Sequence, residues 1–157
     1  MPNWCYNTLE IKLKDISKKD VYLQLLKKLN IPSKLKFSFN AFIPYPKKYK
    51  TPNKKTGKDG YNSGGYEWCC MNWGTKWNAQ DVKMVTDNSE LGHIKFEYMT
   101  AWSPPIQIIC KMSQVYPGIK FINLMYYIEE GAGFKGEVQA YNGKIITHKH
   151  NKLKFRI

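Results

Sequence analysis

The chain has 157 residues, enough for one domain with a sizeable core, and its 43% hydrophobic and 15% aromatic content excludes a disordered polymer. Its net charge is +13, with 25 basic residues against 12 acidic, and every basic residue but Arg156 is lysine. That field favours an acidic partner, nucleic acid first, but lacks the bidentate grip that arginine has on phosphate or guanine.

No apolar run approaches a membrane span, and Met1-Pro2-Asn3-Trp4-Cys5-Tyr6 has neither the basic nor the apolar part of a leader. A cytoplasmic protein with no membrane association is therefore expected. Cys5, Cys69, Cys70 and Cys110 show no zinc spacing and are read as reduced, mostly buried thiols. No cofactor or metal is assigned.

Residues 5 to 14 alternate, with Cys5, Asn7, Leu9, Ile11 and Leu13 on one face, as in a half-buried strand. Ser17 is expected to cap a helix, with Asp20 as capping-box partner and Ile16 stapled against Val21. That helix runs to about Leu29 on a stripe of Tyr22, Leu25, Leu26 and Leu29, and Asn30 and Pro32 stop it. Leu35 to Phe42 alternates again and is predicted as a second strand.

Residues 47–65 read as a flexible basic insert. Positions 47 to 58 hold six lysines and no acid: Lys47, Lys48, Lys50, Lys54, Lys55 and Lys58. A solvated loop is the plain reading; an arm that orders on phosphate is the sharper one.

Tyr66 to Trp73 reads as a short helix closed by Gly74, followed by a short strand near Val82 to Val85. Leu91 to Met99 is a clearer strand, with Ile94, Phe96 and Tyr98 on one face. Ser103 and Pro104 suit the start of a helix with Ile106, Ile109, Cys110 and Ser113 inward. Ile119 to Ile128 is apolar on both faces and is expected to be a covered central strand. Phe134 to Tyr141 and Lys144 to about Thr147 should pair around Asn142-Gly143, a type I′ turn signal, so 133–157 forms a C-terminal hairpin.

The whole of 1–157 is thus read as one α+β domain, a ferredoxin-like βαβ-βαβ sandwich with an inserted loop and short helix and a C-terminal hairpin.

Four constellations bear on function. The knot Trp73-Gly74-Thr75-Lys76-Trp77-Asn78 is either core or a recognition surface. As a ligand cleft, Trp73 or Trp77 would stack on a base, Lys76 would meet a phosphate, and Thr75, Trp102 and Glu130 would complete the lining. As core, the tryptophans bury and Gly74 only allows the turn. Thr100 to Pro105 reads as a rigid corner, and Ser103 has no base beside it that would make it a nucleophile. Glu129-Glu130 is a carboxylate pair, but neighbours on a strand face opposite ways. On the last strand His148, His150, Lys152, Lys154 and Arg156 share parity as a phosphate track, with Glu137 opposite His148 and Lys135 opposite His150. A zinc site from His93, His148 and His150 lacks a fourth ligand.

The stretches Met1-Pro2-Asn3-Trp4-Cys5-x-Asn7, Trp73 to Ala79, Thr100 to Pro105 and Glu130-Gly131-x-x-Phe134-x-Gly136 resemble the YubB-type ferredoxin-like family of phage and plasmid proteins. The resemblance spans Met1 to about Tyr141. It implies a ferredoxin-like fold and a mobile-element origin, with the host cytoplasm as the setting if the chain is phage-encoded. It brings no catalytic residues. The lysine loop and the basic tail after Gly143 lie outside its pattern.

The leading expectation is a non-enzymatic accessory protein of a mobile element. Its basic surface (the lysines of the insert, Lys76, Lys152, Lys154 and Arg156) would bind nucleic acid or a nucleoprotein complex and counter host defence. The alternatives are an inhibitor docking on a host or defence protein, and a small nucleotide-processing enzyme working through Lys76, Glu129 or Glu130. No oligomeric state is assigned.

Overall fold

The computed structural model describes residues 3–50, 64–129 and 132–153. Six strands form one antiparallel sheet in the order β2-β3-β1-β4-β5-β6. They are β1 (Trp4–Leu13), β2 (Gln80–Asn88), β3 (His93–Ala101), β4 (Ile119–Glu129), β5 (Ala132–Tyr141) and β6 (Lys144–Lys152). Helix α1 (Lys19–Lys28) follows β1, and α4 (Ile106–Val115) follows β3. The first four strands in order β2-β3-β1-β4, with those two helices, are the ferredoxin-like core. The β5-β6 hairpin extends the sheet beyond β4.

Alternation decides which side of each strand is buried. On β1, Cys5, Asn7, Leu9 and Ile11 face the helices, packed with Ile94, Phe96 and Tyr98 of β3 and Phe121 and Met125 of β4. The stripe Tyr22, Leu25, Leu26 of α1 and Ile108, Ile109, Met112 of α4 closes over them. Ser113 belongs to that α4 stripe, whereas Ile106 and Cys110 are only partly covered.

The second strand of the first βαβ half is not the predicted one. Residues 35–42 are irregular apart from a 3-10 turn at Phe39–Ala41, and β2 at Gln80–Asn88 takes the strand position. The alternation of Phe37 and Phe39 has another cause. Both rings plug the core, Phe37 against Phe96 and Tyr98, and Phe39 against Trp73. The Phe39 amide donates to Asn78 Oδ1 rather than to a strand. β2 joins β3 through the short turn Ser89–Leu91 and Gly92, so it reaches the sheet edge at a far smaller loop-closure cost. Besides that 3-10 turn, the described residues of the long connection from α1 to β2 carry α2 (Lys47–Lys50) and α3 (Gly65–Asn72), the latter close to expectation.

Other corrections are local. Asp15, not Ser17, is the cap before α1: its carboxylate accepts from the Ser17 amide and hydroxyl at 3.0 and 2.6 Å, opening a 3-10 turn at Ile16–Lys18. Ile16 is 84% exposed and staples nothing. Ser103 does not cap α4, whose N-cap position is Pro105. β4 is central but covered on one side only, because both helices pack on the same face and leave Leu124 and Tyr126 half exposed.

Candidate nucleic-acid interface

The tryptophan knot and the Thr100 corner are one construction. α3 ends at Trp73, and Gly74 at φ 80 turns the chain. That positive φ calls for glycine; a Cβ there would also have to displace the mobile end of the Gln107 side chain. Thr75 then donates its hydroxyl to the Ala101 carbonyl at 2.8 Å, and Ser103 donates its own to the Gly74 carbonyl at 2.6 Å. Ser103 is thereby a tie between two loops. Thr100 Oγ1 accepts from Asn7 Nδ2 and donates to the Ser103 carbonyl. Asn7 Oδ1 accepts from Asn123 Nδ2, and Asn123 Oδ1 accepts from the Tyr98 hydroxyl at 2.6 Å. A satisfied polar chain therefore runs through the core from β4 across β1 to the corner. Burial pushes the Cys5 thiol beside it up to about 12, with hydrogen bonds from Thr100 and Asn7 opposing, so Cys5 is neutral and inert.

The six residues predicted as a cleft divide. Trp73 (4% exposed) and Thr75 (1%) are core; the Trp73 indole donates to the Ile43 carbonyl and packs on Phe39 and Trp68. Lys76, Trp77 and Trp102 do come together at the surface. The Lys76 ammonium lies 5.4 Å from the Trp102 ring, 5.8 Å from Trp77 and 5.6 Å from Tyr66. Tyr66, Cys70, Lys76, Ala101, Trp102 and Ser103 line a depression of about 380 Å³. Glu130 lies outside the described residues, as do Lys54, Lys55, Lys58, Lys154 and Arg156. Lys47, Lys48 and Lys50 sit on the single turn of α2, where Lys48 lies 4.9 Å over the Tyr49 ring.

The last strand is corrected in register. A bulge between Gln139 and Ala140 makes Val138 the partner of His148, Glu137 of Lys149 and Gly136 of His150. The extra residue on β6 inverts the facing of every side chain after it on that strand. His148, His150 and Lys152 therefore point to the helix side of this edge strand, where His150 meets Phe134 at 4.7 Å. Lys149 and Asn151 take the other face. His93 lies on β3, with three strands between it and β6, and its Nε2 is 3.3 Å from Glu10, so the zinc trio is not assembled. Among the described residues no cluster of His, Cys, Asp or Glu could hold a metal ion.

What sequence reasoning missed is the aromatic pair on the open face of the sheet. Tyr6 on β1 and Tyr126 on β4 are cross-strand partners, stacked at 4.9 Å and 16°, and 40% and 47% exposed. Lys135 pairs with Tyr126 on one side and Asn151 on the other; Leu124, Glu137 and Lys149 form the next row. These residues, with Thr8, line a depression of about 570 Å³. Lys95 and Lys120 share the face, interleaved with Glu10, Glu97 and Glu137. The available signal was the second alternation set of β1, beginning Trp4-x-Tyr6, together with the even-numbered residues of β4.

Fold and corner together define a ferredoxin-like α+β domain with an extended sheet. A family model for the ferredoxin-like domain in Api92-like proteins matches residues 72–157, just over half of the chain, and the chain belongs to that family. Among solved structures, that of a protein api92 from Yersinia pseudotuberculosis is similar with a TM-score of 0.51 at 8% identity, over 100% of this chain and 99% of that one. At that identity the likeness concerns the fold alone. No curated protein matches. Among the described residues no helix is long and apolar enough to cross a membrane.

Proposed function

We propose that this protein binds single-stranded nucleic acid on the open face of its sheet, as a binding module rather than an enzyme. The observation that carries the reading is the exposed Tyr6–Tyr126 stack at the centre of that face, flanked by Lys135 and Lys149. Two large rings side by side in solvent serve no core. Unpaired bases stack on such rings whatever their identity, while lysines meet the phosphates. The near-absence of arginine agrees with recognition of backbone and stacking rather than of base edges.

The mobile-element origin implied by the YubB-type resemblance suits such a module, which would act on exposed strands in the host cytoplasm or on a nucleoprotein complex of host defence. Binding of fluorescent single- and double-stranded DNA and RNA, titrated with salt, tests the reading. Preference for single strands with affinity falling steeply as salt rises is expected; equal affinity for duplex, or none, would sink it.

One observation favours docking on a host protein as a second reading. A groove of about 830 Å³ between α1 and the β2-β3 turn carries the exposed apolar side chains Ile16, Leu23 and Leu91. Leu23→Asp with Leu91→Asp should abolish such docking and leave nucleic-acid binding intact; retained docking removes this reading.

A further inference from the structure

Trp102 is the one bulky residue among the described residues whose backbone is left-handed, at φ 72. The other described non-glycine residues with positive φ are Asn30, Asp81 and Asn142, short polar types that accept this conformation locally. A tryptophan there is strained, and strain persists only where the surroundings over-determine it. They do so here. The Trp102 amide donates to the Asn3 carbonyl at 2.8 Å, and the Ser103 amide to the Ala101 carbonyl at 3.0 Å. The side chains of Thr75, Thr100 and Ser103 tie both flanking residues. All this holds a ring that is 46% exposed. The corner does not bury Trp102; it presents it.

The presented ring forms one wall of the depression shared with Lys76 and Tyr66. The neighbouring Cys70 pushes the Tyr66 phenol up from its ordinary value. The site thus offers a flat aromatic face beside a lysine, in an open depression with room for a base. It also lies at one end of the open face. Trp77, next to Lys76, meets Trp4 at 6.2 Å, and Trp4 shares a face of β1 with Tyr6.

We propose that Trp102 and Lys76 form a nucleotide site, the base stacking on the indole and the phosphate meeting the ammonium. The proposal rests on the nucleic-acid reading of the open face and adds where a nucleotide leaves the sheet. Strand and free nucleotide share this chemistry, so both are used as probes: an eight-residue oligothymidylate and thymidine monophosphate.

The test compares wild type with Trp102→Gly, Lys76→Gln and the sheet variant Tyr6→Ala/Tyr126→Ala. Glycine accepts the left-handed backbone freely, so Trp102→Gly should melt at or above the wild-type temperature while oligonucleotide affinity falls fivefold or more. Lys76→Gln should weaken binding and flatten its salt dependence. Loss of oligonucleotide binding without monophosphate binding assigns the site to a strand; matched loss of both assigns it to the free nucleotide as well. Unchanged oligonucleotide affinity in Trp102→Gly overturns the site, and if the sheet variant alone loses binding, the sheet reading survives. If wild type binds neither probe, both fail. Should Trp102→Gly not fold, Trp102→Phe and Trp102→Leu decide: binding at least threefold tighter in the phenylalanine variant supports stacking, and equal binding overturns it.

Discussion

The two faces of the same strands carry the same kinds of residue to opposite ends. On the helix side Tyr98 is wholly buried, its hydroxyl bound to Asn123. On the open side Tyr6 and Tyr126 stack on each other in solvent. The difference is not in the side chains but in what packs over them. Helices α1 and α4 lie on one face with Phe37, Phe39, Phe42 and Trp73 of the α1–β2 connection, so aromatic content there becomes stability. On the other face it becomes surface. The same contrast recurs within the knot, where Trp73 is core and Trp102 is presented.

The comparison breaks if truncation on the two faces has similar consequences. Trp73→Ala should cause the largest loss, about 3–5 kcal/mol by urea denaturation, since it empties a site walled by Phe39, Tyr45 and Trp68 and removes a hydrogen-bonded indole. A loss under about 1 kcal/mol would mean that the knot is not core. Asn7→Ala should cost about 1–3 kcal/mol by orphaning polar groups of Asn123 and Thr100. Tyr6→Ala/Tyr126→Ala should hardly alter stability and should weaken oligonucleotide binding at least tenfold, about 1–3 kcal/mol per stacked base. Equal damage to folding would make that face structural. Lys149→Ala should act least, lowering the log–log salt slope for single strands by about 0.7.

Alkaline pH sharpens the comparison on the buried side. Cys5 is pushed from its ordinary value of 9.0 to about 12 and Cys69 to about 11, both foremost by burial. Folding keeps these protons while the unfolded chain releases them. Their stabilising contribution is therefore complete below pH 9 and is lost as pH rises through 9 towards 11 and 12. Denaturation midpoints across that range should fall, and less steeply in Cys5→Ala. The Cys5 thiol should also resist alkylation until the protein unfolds.

Much of this was legible in one dimension. Period-two alternation located β1 and β3; the Tyr22–Leu29 stripe located α1; Asn142-Gly143 placed β5 and the final hairpin. Residues 35–42 misled because alternation records burial, and Phe37 and Phe39 are buried without a ladder. The face of His148 and His150 was misjudged because a single bulge inverts a strand and leaves no mark in composition. Of the six residues expected in a cleft, Lys76, Trp77 and Trp102 lie together, carried by two loops that are each motif-dense.

The ferredoxin-like class, the basic charge and the residues of the corner are all written along the chain, since periodicity, net charge and turn chemistry are local properties. Folding in three dimensions settled which tryptophans are buried, which strand completes the first βαβ half and which face stays open. Those outcomes depend on where both helices settle and on what one residue of register does to every side chain after it, and neither is encoded in any single segment.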